Sequence, residues 1–245
     1  MEQSLLFNIL DSVDSTNNYA MGKVHDGMAT HGMAWFAHAQ TAGKGQRGKE
    51  WVSEAGKNIV LSIVLKPELI FRSRPFYFSA LLALCCHEFL EKNTGEKLFI
   101  KWPNDLYWRD RKAGGVLIEN VFAGTEWKWA VVGIGINVNQ TLFNAKVPRA
   151  VTLSEMGGQE KDPVLLARQL HTHILDKFNA ITEETIDELL PLYNTVLYKK
   201  NEEVKLRKNF AVFSTTIKAV NETGQLITED VMEREFNFGG VEWIL

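Results

Sequence analysis

Residues 97 to 138 hold four short β-prone runs, at about 97–101, 105–108, 115–122 and 127–138, with no helical period between them. Consecutive strands joined by short turns pair antiparallel, whereas parallel neighbours need a crossover of a dozen residues or more. This stretch rules out a regular βαβ alternation. It directs the chain to an α+β class, with a mixed β-sheet and flanking helices.

The flanking segments supply the remaining elements. Residues 4–13 and 33–40 read as strands, the second buried on both faces, and capping residues at the start of 14–24 open a helix between them. The run 58–66 is rich in β-branched residues and stops at Pro67. Residues 73–93 form an apolar helical stretch with Pro75 near its start and Gly95 beyond its end, and 76–90 read as core. "RDRKAGG" (109–115) reads as a turn, and a loop runs from the end of the fourth strand to about 161. An amphipathic helix is expected over 162–181, and another over 182–197, interrupted at Pro191.

The texture changes after residue 198. Short alternating strands are expected at 203–207, 211–220, 225–229, 232–238 and 241–244, with "NETGQ" (221–225) as a hairpin turn. An all-β module of about 50 residues is marginal alone, so it should dock on the larger unit. The expected organisation is residues 1–197 followed by a small β unit, 198–245.

Composition limits the function classes. A net charge of −3, with 45% hydrophobic and 23% charged residues, describes an ordinary globular chain and gives no global electrostatic case for a nucleic-acid partner. The two cysteines, Cys85 and Cys86, are adjacent, so they read as buried thiols in a reducing compartment. The first residues lack a basic n-region and long apolar core, and no run reaches membrane-spanning length. A cytoplasmic protein without a membrane partner is expected.

Three segments carry candidate chemistry. "AGKGQRGKEW" (42–51) spells G-x-G-x-x-G from Gly43 through Gly45 to Gly48, and G-x-x-x-x-G-K from Gly43. A dinucleotide fingerprint must open a helix, but the residues after Gly48 run into a strand. A P-loop needs Ser or Thr after its lysine, and Glu50 stands there. Two readings stay open: an anion-cradling loop with Lys44, Arg47 and Lys49 supplying charge and Trp51 an aromatic face, or a solvated basic hairpin loop. "KWPNDLYW" (101–108) sets Asn104 and Asp105 at a strand junction, a few residues before Lys112, Gly114 and Gly115. This combination suits phosphate or carboxylate oxygens, and read alone it also suits a plain β-hairpin with an "RDRK" surface turn. "GIGINVN" (133–139) carries glycines inside a strand, which indicates close approach of another group to the backbone. His171 and His173, two apart on a helix, point to different faces and make no metal pair; Ser15 and Ser62 lack a nucleophile-elbow context.

Taken in order, "DSTNNYA", "AQTAGKGQRGKEW", "KWPNDLYW", "RKAGGVLIEN", "GIGINVN" and a β-rich tail resemble the catalytic core of bacterial biotin protein ligases, over nearly the whole chain. The resemblance implies a class II synthetase-like catalytic fold followed by a small SH3-like β-barrel. It implies a two-step reaction in which biotin and MgATP give biotinyl-5′-AMP, and a lysine of a biotin carboxyl carrier domain then takes the biotinyl group. Residue by residue, it implies that Ser15, Thr16, Asn17 and Gln40 line a biotin pocket, and that Gly43, Lys44, Gly45, Gln46 and Arg47 form a loop over biotin and adenylate. Trp51 would stack on adenine, and Asn104, Asp105 and Asn137 would lie near the nucleotide and its Mg²⁺. Lys112 would contact the biotin carboxylate and α-phosphate, with Gly114 and Gly115 as backbone lining. The metal would be carried mainly by ATP phosphates, with Asp105 as its candidate protein ligand. The family can dimerise. Only about a dozen residues precede the "DST" segment, so a ligase without a repressor function is expected. Where a well-known member reads "GRGRRGR", this chain reads "GKGQRGK", so Gln46 replaces an arginine and Lys44 or Arg47 would take over its charge. Two alternatives share parts of the pattern: a lipoate or octanoate ligase or transferase, and a biotin-sensing module without ligase activity.

Overall fold

A computed structural model describes residues 6–143 and 149–244. The elements run β1 (Phe7–Val13), α1 (Thr16–His25), β2 (Ala34–Gln40), β3 (Asn58–Leu65), α2 (Leu69–Arg72), α3 (Pro75–Thr94), β4 (Phe99–Lys101), β5 (Asp105–Trp108), β6 (Arg111–Ala123) and β7 (Glu126–Asn137). Then come α4 (Leu153–Gly157), α5 (Pro163–Asn179), α6 (Leu189–Thr195), β8 (Glu203–Lys208), β9 (Ala211–Val220), β10 (Leu226–Glu229), β11 (Glu233–Phe236) and β12 (Glu242–Ile244).

The first seven strands form one sheet in the order β1-β2-β3-β7-β6-β5-β4. Only β1 and β2 run parallel, across the α1 crossover; every other pair is antiparallel. This is the expected α+β class, with one βαβ unit at the sheet's edge. Side chains alternate between faces along each strand. From fully buried β3, Ile59, Leu61, Ile63 and Leu65 join the main core, in which α3 and α5 pack on one face of the sheet. Val64 points the other way, into a smaller cluster with Ala20 of α1, Trp35 and Val131. Cys85 and Cys86 of α3 are both buried, and burial pushes the Cys86 thiol up to about 12, so neither is a nucleophile at neutral pH.

Several boundaries differ from expectation for identifiable reasons. The first strand begins at Phe7; the expected residues 4 and 5 lie outside the described residues, as do 144–148 of the long loop. Residues 111–115, expected as a turn, are the start of β6: the turn is only Arg109–Asp110, with Arg109 at φ 52°. Pro191 does not interrupt a helix. A 3₁₀ turn over Ile186–Glu188 leads into α6, where Pro191 occupies the first turn and its missing N–H breaks no hydrogen bond. Short α4, capped by Thr152, lies inside the segment expected as loop.

The last five strands form an antiparallel sheet, β11-β10-β9-β8-β12. The expected barrel is not closed: among the described residues no ladder joins β11 to β12. The sheet docks as expected. Trp102 Nε1 donates to Gly224 O at 2.9 Å, the Phe238 ring lies 5.4 Å from that of Trp102, and Asn194 exchanges two hydrogen bonds with the Val220 backbone at 2.9 and 2.7 Å.

Candidate functional site

The pairing register brings five residues into one cross-strand row: Val60, Gly135, Gly115, Asp105 and Lys101, on β3, β7, β6, β5 and β4. Paired residues share a face, and this is the face that α1 covers at one end. Beyond α1 it opens into a cleft of about 1210 Å³, walled by α1, the 43–51 loop and residues 239–243 of the C-terminal sheet. A second cavity, of about 520 Å³ around α2, gathers none of the candidate residues.

The glycines of the row explain its shape. A Cβ on Gly135 would lie 2.5 Å from Trp51 Cε2, so the indole rests directly on the β7 backbone. A Cβ on Gly115 would meet Asp105 Oδ1 at 2.9 Å and Lys112 Nζ at 3.4 Å. That space holds the ion pair between Lys112 Nζ and Asp105 Oδ1, at 2.5 Å. In the adjacent row Gly133 faces Ser62 and Leu117, and its Cβ would come within 2.4 Å of Asn17 Oδ1. The "GIG" strand is therefore a floor, and each glycine makes room for one site side chain.

Helix α1 delivers the next group. Ser15 is its N-cap, with an extended backbone and its Oγ accepting from the Asn18 N–H at 3.5 Å. Thr16 donates its backbone N–H to Gln40 Oε1 at 2.7 Å, and its hydroxyl lies 3.1 Å from the same oxygen. Ser62 Oγ sits 2.8 Å from Thr16 Oγ1 and 2.5 Å from Asn17 Oδ1, while Asn17 Nδ2 donates to Glu119 Oε2 at 2.8 Å. Ser15, Thr16, Asn17 and Ser62 are all buried. A closed polar network of this kind fixes side-chain rotamers.

The 43–51 loop folds back on itself: Trp51 N–H donates to Gly43 O at 2.9 Å and Gly45 N–H to Lys49 O at 2.7 Å. As its sequence indicated, it leads into a strand; only a 3₁₀ turn over Gln46–Gly48 intervenes. Arg47 adopts φ 57° and donates Nη1 to Gly239 O at 3.0 Å, so the loop leans on the C-terminal sheet. Lys44 lies 3.8 Å from Glu119. Trp51 Nε1 is buried without a hydrogen-bond partner among the described residues.

Of the residues singled out from sequence, Ser15, Thr16, Asn17, Gln40, Lys44, Gly45, Gln46, Arg47, Trp51, Asn104, Asp105, Lys112, Gly115 and Asn137 all line the cleft. Gly43 and Gly114 stand behind its wall, where their missing side chains admit Trp51 O and Gly135 O. Asn104 and Asn137 spend amide protons on backbone: Asn104 on Val116 O, Asn137 on Lys112 O and Val151 O, both at 3.2 Å. Ser62 and Glu119 had no site signal beyond a hydroxyl inside "NIVLSIVL" and a carboxylate ending "GGVLIE". Lys101 was also missed. Its ammonium lies 5.1 Å from the Tyr107 ring and 5.3 Å from the Trp243 ring, and burial pulls its pKa down to about 8.

Among the described residues no three His, Cys, Asp or Glu side chains converge to hold a metal, so Asp105 could contribute only one ligand to an ion carried by a polyphosphate. The arrangement combines a preorganised polar pocket, an aromatic seat, and a lysine–carboxylate pair on bare backbone under a basic loop. That combination suits a small molecule and an anionic nucleotide bound side by side.

Comparisons with known proteins agree with this geometry. Residues 9–137, just over half the chain, match the profile of the Biotin/lipoate A/B protein ligase family. The chain is 34% identical over 151 residues to the bifunctional ligase/repressor BirA of Escherichia coli, covering 61% of this chain and 46% of that protein. It is 38% identical over 132 residues to the biotin--[acetyl-CoA-carboxylase] ligase of Paracoccus denitrificans, covering 53% of each. The matched region thus spans about half the length of these curated relatives. The solved biotin protein ligase of Aquifex aeolicus, in complex with biotin and ATP, superposes with a TM-score of 0.81 at 27% identity, over 97% of this chain and 98% of that one.

Proposed function

This chain belongs to the Biotin/lipoate A/B protein ligase family, and from that premise we propose that it activates biotin with ATP and transfers it to a lysine of a biotin carboxyl carrier protein. The observation that carries the proposal is the row Gly135–Gly115–Asp105, which sets the Trp51 seat beside the Lys112–Asp105 pair in one cleft. The matched relatives and the solved neighbour named for biotin support biotin over lipoate as the acid. We assign 1–197 to the catalytic unit and 198–245 to the docked β unit that completes the cleft wall.

In the first step a biotin carboxylate oxygen attacks the α-phosphorus of ATP. A carboxylate–phosphorus anhydride forms, the bond to the β-phosphate oxygen breaks, and pyrophosphate leaves. Two anions must approach, so catalysis needs fixed positive charge where negative charge accumulates. Lys112, aimed by its pair with Asp105, and the loop cations Lys44 and Arg47 meet that need. Mg²⁺ would neutralise phosphate charge, with Asp105 as its protein ligand. The Ser15–Thr16–Asn17–Gln40–Ser62 network supplies donors and acceptors for a polar ring head, and Trp51 supplies a face for the base. In the second step the neutral amine of the carrier lysine attacks the anhydride carbonyl and AMP departs. The 43–51 loop keeps water from the adenylate meanwhile.

Biotin-dependent exchange of labelled pyrophosphate into ATP tests this reading. Wild-type protein should catalyse exchange, and Lys112→Ala should lose it by at least about a hundredfold, the scale set by removal of one charge-stabilising group at a reacting centre. Exchange that needs lipoate instead of biotin, or that survives Lys112→Ala, would refute it.

A further inference from the structure

Lys101 is unexplained by the roles above. It closes the row Val60–Gly135–Gly115–Asp105–Lys101 at the cleft's far end, directly opposite Asp105 on the neighbouring strand. The Asp105 carboxylate is engaged by Lys112, and among the described residues Lys101 has no carboxylate within ion-pair distance. The charged groups acting on it are Asp105, Lys112 and Lys49, so cations outnumber the single acid. Its ammonium lies over the rings of Tyr107 and Trp243, 5.1 and 5.3 Å from their centroids, and Tyr198 packs on both rings, at 5.0 and 5.8 Å. Burial is the main cause of its lowered pKa; the Asp105 carboxylate opposes the shift, and the positive charges of Lys112 and Lys49 add to it. The two aromatic faces offset part of the cost of a desolvated ammonium without a counter-ion, and an anion entering the cleft would offset the rest.

The order along the row says which anion. Trp51 sits over Gly135, the Lys112–Asp105 pair over Gly115, and Lys101 lies two strands farther, about 10 Å at ordinary strand spacing. A nucleotide with its base at Trp51 and its α-phosphate at Lys112 extends its remaining phosphates along this line. We propose that Lys101 forms a subsite for the two distal phosphates of a nucleoside triphosphate, and hence for the leaving pyrophosphate. The identification of the ligand rests on the ligase reading; the anion site rests on the cage and the unpaired charge.

The test uses full-length protein and inorganic pyrophosphate with Mg²⁺, titrated by calorimetry. Lys101→Met, which keeps an apolar stem for the aromatic cage, should weaken pyrophosphate binding about tenfold or more and raise the KM for ATP similarly, as expected for loss of a charge-assisted contact to phosphate. Lys101→Arg should restore most of both. Ready-made biotinyl-adenylate, which has no distal phosphates, should bind the Met variant as it binds wild type. Unchanged pyrophosphate binding in Lys101→Met would overturn the subsite, and so would an equal loss for the ready-made adenylate. If wild type bound pyrophosphate through Lys101 but made no adenylate, the ligase reading would fall and the anion site would stand.

Discussion

Gly133→Ala is the substitution whose effect follows most directly from the geometry. Its Cβ would lie 2.4 Å from Asn17 Oδ1, 2.9 Å from Cγ and 3.0 Å from Nδ2. A comfortable carbon–oxygen approach is about 3.3 Å, so the amide must retreat by about 0.9 Å. It has little freedom, because Oδ1 is held by Ser62 at 2.5 Å and Nδ2 by Glu119 at 2.8 Å. Overpacking a filled site costs about 1–3 kcal/mol, and breaking a buried hydrogen bond costs a similar amount. A total of at least about 2 kcal/mol, shared between fold and pocket, should lower Tm by about 4–8 °C or more for a chain of this size, or weaken biotin by about 30-fold or more. Calorimetric biotin titration and thermal unfolding measure both. Gly22→Ala is the control: it lies in α1, the helix that carries Asn17, and its Cβ would meet nothing within 4 Å. It should cost nothing and can stabilise the helix by about 0.5–1 kcal/mol. Wild-type biotin affinity together with wild-type Tm in Gly133→Ala would refute the role given to the glycine floor.

Gly135→Ala should act on the other substrate: by lifting Trp51 from its seat it should raise the KM for ATP about tenfold, with biotin binding measured in parallel affected far less. Gln46→Arg should change the release rate of biotinyl-adenylate by less than about twofold, because the exposed contacts of Lys44 and Arg47 are weak enough to yield to the ligand; a large drop in release would show that the lost arginine was not compensated. The pH dependence of stability carries the signature of Lys101. Its folded pKa of about 8 lies below its ordinary 10.5, so the unfolded chain binds more protons between these values and stability from this group rises with pH there. The stability advantage of Lys101→Met over wild type, read by chemical denaturation, should therefore be largest below pH 8 and shrink towards pH 10.5; a constant difference would contradict the buried, unpaired charge.

Local patterns made much of this legible in the sequence. The antiparallel run from β4 to β7 followed from strands too close together for crossovers, and the glycines of "GIGIN" signalled that something presses on the backbone. Sequence could not say what presses, because that depends on register: Asn17 and Trp51 come from elements more than 70 residues away from β7. Register also hid Lys101, which lies next to the recognised "WPND" yet faces the cleft only because it pairs with Asp105. Ser62 was legible only as a hydroxyl in an apolar strand, and its partners Thr16 and Asn17 appear only once α1 crosses β3. The turn expected at 109–115 failed for a simple reason: Arg109 adopts a left-handed conformation, so the chain reverses in two residues and Lys112 is already in a strand.

The most direct test of the central claim is the intact mass of a biotin carboxyl carrier domain after incubation with this protein, biotin and MgATP. The expected result is the mass gain of one biotinyl group on one lysine, absent without ATP and absent with Lys112→Ala. An unchanged carrier mass under these conditions, or a gain with lipoate and none with biotin, would contradict it.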